Sequence, residues 1–323
     1  MIFSIVALGF FLRIGGLWYG LPSKTLALTT YHPDEALSYQ TLADIHQKGI
    51  LHYTPGREFY WGSVHLYALG AVLKCASWAG ILHVSSREDL ENNVAKADRL
   101  YIIGRCLSIF SGTASILILY YALLPWGEKM AVFAALILTL VPVHVCNSFF
   151  VRPDALMIFL NICVMAFSLK FLQTGRKKFL IFSGFITGLS AATKYSGGAI
   201  FLMPLTAAFL YYRNVNRIVP FRELLILIGC MVSGFLMGCP TSVIRVPVFL
   251  ERMFGNIEMA NSANLLRKPG WILYLTELLP LGCGWPIFIS AIAGIGVTLY
   301  KRTFFGFLML LSGVFCIYLD FPL

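Results

Sequence analysis

The feature that most constrains the fold is a succession of apolar runs, most of them about as long as a bilayer is thick. A helix needs roughly 20 consecutive apolar residues to cross the hydrocarbon core. Only 12% of the residues are charged and 58% are hydrophobic, whereas a soluble domain averages about a quarter charged residues. The sequence therefore predicts an all-α polytopic membrane protein and excludes an ordinary soluble domain. The runs fall near residues 2–21, 63–84, 101–125, 130–150, 155–173, 179–193, 195–212, 224–244, 272–299 and 303–319.

The distribution of charge between these runs indicates which loops face the cytoplasm. Short cytoplasmic loops of membrane proteins are rich in lysine and arginine. Four short connections, at 128–129, 170–178, 213–223 and 301–302, hold ten basic residues against two acidic ones. The long stretch 22–99 holds seven basic and eight acidic residues. The net charge of +10 is therefore read as a topology signal, and nucleic acid is not an expected partner.

These loop assignments predict one transmembrane domain over 1–323 with an inside N-terminus. If the 128–129 loop is cytoplasmic, the run 101–125 passes from outside to inside, and the run 63–84 therefore cannot also cross. It is expected to lie at the interface as a juxtamembrane helix, with a re-entrant segment as the alternative. Two outside loops follow from this map: 22–100, with its juxtamembrane helices, and 245–274, which is expected to cover the site. The chain ends directly after its last apolar run, and the expectation is that it is truncated at the C-terminus.

Two acidic clusters at predicted outside helix starts are the main candidates for chemistry. Carboxylates close to a membrane are costly and are functional candidates by default. Pro33 precedes Asp34 and Glu35, and Pro153 precedes Asp154; a proline in this position favours the first turn of a helix. Capping of the helix by the carboxylates is the alternative interpretation. If both starts face one cleft, the pair suits glycosyl transfer, in which one carboxylate accepts a proton and cations stabilise a phosphate leaving group.

Basic residues on the same side are candidates for that phosphate. Lys194 follows a predicted span and precedes Tyr195 and a Ser-Gly-Gly stretch, although a lysine there could also snorkel to the headgroups. Arg152 either contacts the ligand or neutralises Asp154. His32 either binds substrate or caps the helix. The eight cysteines lie mostly in apolar runs without metal-binding spacing, so no metal site is predicted.

The ordered set of motifs from residue 1 to about 210 resembles the GT-C glycosyltransferases, and within them glycosyltransferase family 39. The protein O-mannosyltransferases and the lipid A aminoarabinose transferases are the similar branches. The set comprises His32-Pro-Asp-Glu, Phe59-Tyr-Trp-Gly, Ile103-Gly-Arg, Arg152-Pro-Asp-Ala and Gly188-Leu-Ser-Ala-Ala-Thr-Lys.

The resemblance implies a GT-C-type helix bundle that acts as an inverting transferase. The donor would be a polyprenyl-phosphate sugar and the acceptor an unidentified protein, lipid or glycan. No further cofactor is expected. It implies that Asp34, or alternatively Glu35, is catalytic and that Asp154 assists. Substrate contacts would come from basic and aromatic residues of the outside loops: His32, Arg57, Arg152, Lys194, Tyr195, and Arg245 or Arg252.

The expected location is the plasma (inner) membrane with the active site outside the cytoplasm. Two other functions stay open. One is a lipid or sugar-lipid transporter or flippase, although transporters place ionisable residues near the membrane midplane and contain repeats. The other is a GPI-type or lipid-linked-oligosaccharide mannosyltransferase, which shares the His-Pro-Asp-Glu loop but lacks an evident counterpart of Arg152-Pro-Asp.

Overall fold

A computed structural model describes residues 1–25, 28–50, 61–251, 254–255 and 270–300 of the chain. Within these ranges the protein is helical, with one isolated β-bridge and no strand. This confirms the prediction of an all-α polytopic membrane protein. The main helices are α1 (Ile2–Ile14), α2 (Pro33–Lys48), α3 (Val64–Trp78), α4 (Arg87–Asn92), α5 (Val94–Leu123), α6 (Glu128–Leu140), α7 (Pro142–Asn147), α8 (Pro153–Thr174), α9 (Lys177–Ala191), α10 (Leu202–Asn214), α11 (Phe221–Gly238) and α12 (Thr241–Ile244). Further helical segments are Gly270–Leu273, Leu279–Cys283 and Trp285–Tyr300.

Three helices of the described chain are long and apolar enough to cross a membrane. They are Val94–Trp126, Pro153–Thr174 and Phe221–Gly238. A fourth candidate is the pair Leu275–Cys283 and Trp285–Val297, which is bent by 115°. Large apolar side chains such as Phe110, Phe133 and Met237 are more than 60% exposed. Apolar exposure on this scale is typical of a surface that faces lipid.

Several predicted spans are shorter than expected, because breaker residues divide the apolar runs. Run 130–150 is split where α6 ends and Pro142 starts α7. Run 195–212 begins as the 3-10 helix Tyr195–Phe201 before α10. Gly284, at φ +83°, separates the two segments of the predicted span 275–299. The first helix ends at Ile14 instead of continuing to residue 21. The predicted span 303–319 lies outside the described residues.

The centre of the bundle is formed by α5 and α8, which pack against each other. On one side α5 also packs on α1 and α6, and on the other side α8 packs on α9 and α10. Helix α11 closes the row against α9. A Cβ at Gly188 would overlap the carbonyl oxygen of Met231, and one at Gly234 would overlap that of Phe185. Small residues allow this close backbone approach, which drives helix association where the solvent is lipid.

The first loop is helical and is attached to the bundle at one end. Helices α2, α3 and α4 fall within 22–100, where juxtamembrane helices are predicted. The Gly62 N–H donates to the carbonyl of Thr193 at 3.2 Å, and the Val64 N–H donates to the carbonyl of Ala192 at 3.1 Å. Trp61 and Lys194 form an antiparallel bridge beside them. This short extended pair ties the start of α3 to the end of α9.

Candidate active site

The base of the site is a buried ion pair between Glu35 and Arg105, both with fully buried side chains. Arg105 donates from Nε to Oε1 at 3.0 Å and from Nη2 to Oε2 at 2.7 Å. Its Nη1 donates to the carbonyls of Leu17 and Tyr19 at 2.9 and 2.8 Å. The Val151 N–H donates to Oε1 of Glu35 at 2.7 Å. One ion pair therefore joins the segment after α1, helix α2, helix α5 and the loop before α8.

The loop before α8 is fixed at the same place by aromatic and hydroxyl contacts. The ring of Phe150 lies between His32, at 4.7 Å from the imidazole centroid, and the guanidinium of Arg105, at 5.6 Å. Ser108 donates to the Phe150 carbonyl at 2.7 Å. These contacts bring Arg152 and Asp154, which follow in the chain, to the N-terminus of α2.

His32 and Asp34 meet Arg152 at that helix start. The Asp34 N–H lies 3.3 Å from Nδ1 of His32, which is the N-cap of α2. On its other edge, Nε2 of His32 lies 3.3 Å from Nη1 of Arg152. Burial, followed by the charge of Arg152, lowers the pKa of His32, so the ring is neutral at pH 7. A neutral imidazole accepts at one nitrogen only, so the ring either caps the helix through Nδ1 or accepts from Arg152 through Nε2.

Arg152 links the two predicted carboxylates, and Lys194 completes the cluster. Nε of Arg152 lies 3.6 Å from Oδ2 of Asp34 and 3.2 Å from Oδ2 of Asp154. Nζ of Lys194 donates to Oδ1 of Asp154 at 2.8 Å. The bridge between Lys194 and Trp61 holds the lysine backbone in place. The structure thus brings together residues from the ends of three separate segments, as the sequence predicts: His32, Asp34, Arg152, Asp154 and Lys194.

The three carboxylates of the site differ sharply in exposure, and this separates what each can do. The side chain of Asp34 is 34% exposed, that of Asp154 is 7% exposed and that of Glu35 is 0% exposed. A general base must reach the proton that it removes, and Asp34 is the accessible carboxylate. Asp154 is held between two cations. Glu35 is occupied by Arg105 and by the backbone of Val151.

The remaining predicted residues divide into described and undescribed ones. Tyr195 packs edge-to-face on Phe249 with centroids 5.9 Å apart, which places the segment after Arg245 beside the site. Arg245 itself follows α12 and is partly buried. Arg57 and Arg252 lie outside the described residues, as does most of the predicted covering loop 245–274.

Sequence reasoning gave no role in the site to two residues of this region, although Arg105 belongs to the Ile103-Gly-Arg motif. Arg105 was visible as a charged residue near the start of an apolar run, and an ionisable residue in such a place is a signal for a buried partner. His65 is buried in α3 next to Trp61, with ring centroids 6.4 Å apart. A lone histidine in an apolar run gives no comparable signal.

The fold and the site define a membrane protein that presents carboxylates and cations together at one end of a helix bundle. Residues 102–242 match the family model described as dolichyl-phosphate-mannose-protein mannosyltransferase. The match covers less than half of the chain, but it includes Arg105, Arg152, Asp154 and Lys194. It confirms the resemblance to the GT-C glycosyltransferases. Searches of curated proteins and of solved structures found no match.

Proposed function

We propose that the protein transfers a sugar, with inversion, from a polyprenyl-phosphate donor to an acceptor on the extracytoplasmic side of the membrane. The observation that carries the proposal is the cluster in which Arg152 lies between Asp34 and Asp154, with Lys194 on the far side of Asp154. An accessible carboxylate next to paired cations suits proton removal combined with stabilisation of a phosphate leaving group. The loop charges support the outside orientation.

In this reaction Asp34 is the general base. Its carboxylate takes the proton of the acceptor nucleophile, whose freed electron pair attacks the anomeric carbon of the donor sugar. The bond between that carbon and the phosphate oxygen breaks, and the electron pair leaves with the polyprenyl phosphate. Attack opposite to the leaving group inverts the configuration at the anomeric carbon.

Arg152 and Lys194 stabilise the departing phosphate. The contact of Arg152 with Asp34, at 3.6 Å, is longer than its 3.2 Å contact with Asp154. A phosphate that approaches Arg152 therefore displaces Asp34 more easily than Asp154. This exchange frees Asp34 to accept a proton at the moment when the donor is bound, while Asp154 keeps the cations in position.

Replacement of the proposed base is the first test. We expect Asp34→Asn to lower the transfer rate by about 10²–10⁴-fold, the range of general-base catalysis, with an unchanged midpoint of thermal unfolding. Asp44→Asn on the same helix is the matched control, because Asp44 forms an ion pair with Lys48 four residues further along α2. The assay follows released polyprenyl phosphate from purified protein supplied with dolichyl-phosphate-mannose and with other polyprenyl-phosphate sugars. Near wild-type turnover of Asp34→Asn would exclude this role.

The same assay separates the transferase from a flippase. A flippase moves the intact sugar-lipid across a vesicle membrane and releases no polyprenyl phosphate. Release that depends on an added acceptor supports the transferase. Movement of intact lipid without release would contradict it.

A further inference from the structure

His65 is a buried titratable residue that the proposed mechanism does not use. It is the second residue of α3, and its side chain is 1% exposed. Neither ring nitrogen makes a hydrogen bond within the part of the chain that the structure describes. Most buried polar side-chain atoms have a partner, and an unpaired one is destabilising. Both nitrogens of one buried ring without a partner therefore call for an explanation.

The unpaired ring belongs to the same buried region as the candidate active site. Trp61, which packs edge-to-face on His65, forms the backbone bridge to Lys194. The charge that acts on His65 is that of Asp154, which raises its pKa, while the stronger effect of burial lowers the pKa to about 4. Two more buried atoms, Oδ2 of Asp154 and Nε of Arg152, make no hydrogen bond among the described residues, although they lie 3.2 Å apart as an ion pair. A ligand that reaches His65 and this ion pair therefore meets both hydrogen-bond donors and acceptors.

These groups together specify the chemistry of a ligand that would bind here. A neutral imidazole offers one N–H donor and one acceptor nitrogen, the guanidinium offers a donor, and the carboxylate offers only an acceptor. A phosphodiester has acceptors only, so it cannot donate a hydrogen bond to the oxygen of Asp154 and would be repelled by its charge. A hydroxyl group donates and accepts at once. Sugar hydroxyls match this set of atoms, and the donor phosphate does not.

We propose that His65 is a further substrate-binding residue, which together with Oδ2 of Asp154 holds a hydroxyl group of the transferred sugar. The inference rests on the proposed function, since it takes the sugar to be part of a polyprenyl-phosphate donor. It divides the site into two parts. Arg152 and Lys194 face the phosphate, and His65 with Asp154 faces the sugar ring.

The test removes the imidazole and, separately, the hydroxyl. We compare His65→Leu, the polar variant His65→Asn and the control His46→Leu, which replaces an exposed histidine of α2. Because the ring makes no hydrogen bond among the described residues, His65→Leu should unfold at the wild-type temperature or above it. It should raise KM for dolichyl-phosphate-mannose about tenfold, the usual loss for one hydrogen bond to a ligand, with partial recovery in His65→Asn.

Donor analogues that each lack one mannose hydroxyl supply the second arm. With one of these analogues, the KM of wild-type protein should be about tenfold higher than with the complete donor. The KM of His65→Leu should not rise further with the same analogue. Equal KM values for wild type and His65→Leu, or additive losses with every analogue, would overturn the proposal.

A binding measurement makes the two proposals distinguishable. Thermal stabilisation by dolichyl-phosphate-mannose is compared with that by dolichyl phosphate, which lacks the sugar. Greater stabilisation by the sugar-bearing lipid in wild type, lost in His65→Leu, supports the sugar contact even if no transfer is detected. Equal stabilisation of wild type by both lipids refutes the sugar contact, whether or not transfer occurs.

Discussion

Glu35 and Asp34 are adjacent carboxylates with opposite roles, and replacement of each by its amide separates them. Glu35→Gln keeps the shape of the side chain but removes the charge that Arg105 faces. Arg105 is fully buried, so the change leaves an uncompensated buried cation, although three carbonyl contacts to residues 16, 17 and 19 remain. Removal of one partner of a buried ion pair costs about 3–5 kcal/mol.

This cost converts into a measurable shift of the unfolding temperature. An entropy of unfolding of about 2.1 cal/mol/K per residue over 323 residues gives roughly 0.7 kcal/mol/K. A loss of about 4 kcal/mol therefore lowers the unfolding midpoint of Glu35→Gln by about 6 °C. Thermal unfolding of detergent-purified protein measures the shift. Glu88→Gln, on the exposed surface of α4, should leave the midpoint unchanged.

A double replacement shows whether the loss comes from the unpaired charge. Glu35→Leu with Arg105→Leu removes both charges, and exchange of a buried ion pair for apolar side chains is often neutral or stabilising. The double variant should therefore unfold above either single variant. The reasoning is wrong if Glu35→Gln unfolds at the wild-type temperature, or if Asp34→Asn shows the larger destabilisation.

Two further predictions concern the surroundings of the site. Gly62→Ala would place a Cβ into the carbonyl oxygen of Ala192. We expect it to separate this backbone pair, to lower the free energy of unfolding by about 1–3 kcal/mol and to reduce transfer. Gly229→Ala, where a Cβ meets nothing within 4 Å, is the control, and equal unfolding midpoints of the two variants would contradict the role of Gly62. Burial lowers the pKa of His65 from 6.5 to about 4 in the folded protein, so below pH 6.5 the unfolded chain binds a proton that the folded protein does not, and stability falls as the pH decreases towards 4. The loss reaches about 3 kcal/mol and should be absent from His65→Leu in unfolding scans over this pH range, whereas parallel pH profiles of the two proteins would refute it.

The convergence of Asp34, Asp154 and Lys194 was predictable because each lies at the same end of an apolar segment. Loop charge assigns all three ends to one side of the membrane, and short loops leave little freedom in how they meet. The match over residues 102–242 supports the same family that the motifs indicate. Periodicity and charge are local properties, and they suffice for the fold class.

The separation of Asp34 from Glu35 was not predictable, because neighbouring positions share every local signal. Their roles depend on Arg105, which lies 70 residues further along the chain. The state of His65 likewise depends on which side chains surround it after packing. By contrast, the breaks at Pro142 and Gly284 have a local signal, since proline and glycine interrupt helices. Hydropathy averaged over a long apolar run hides this signal, so the runs were predicted as continuous.

The tie between the first loop and the end of α9 is made by main-chain groups, through Gly62, Val64 and the bridge at Trp61. Main-chain hydrogen bonds do not depend on which side chains flank them, apart from the glycine that permits the approach. Side chains around the tie other than Lys194, which pairs with Asp154, can therefore vary without removing these main-chain hydrogen bonds. A change of sugar or acceptor preference could be introduced there by substitution, while the geometry of the carboxylates and cations is retained.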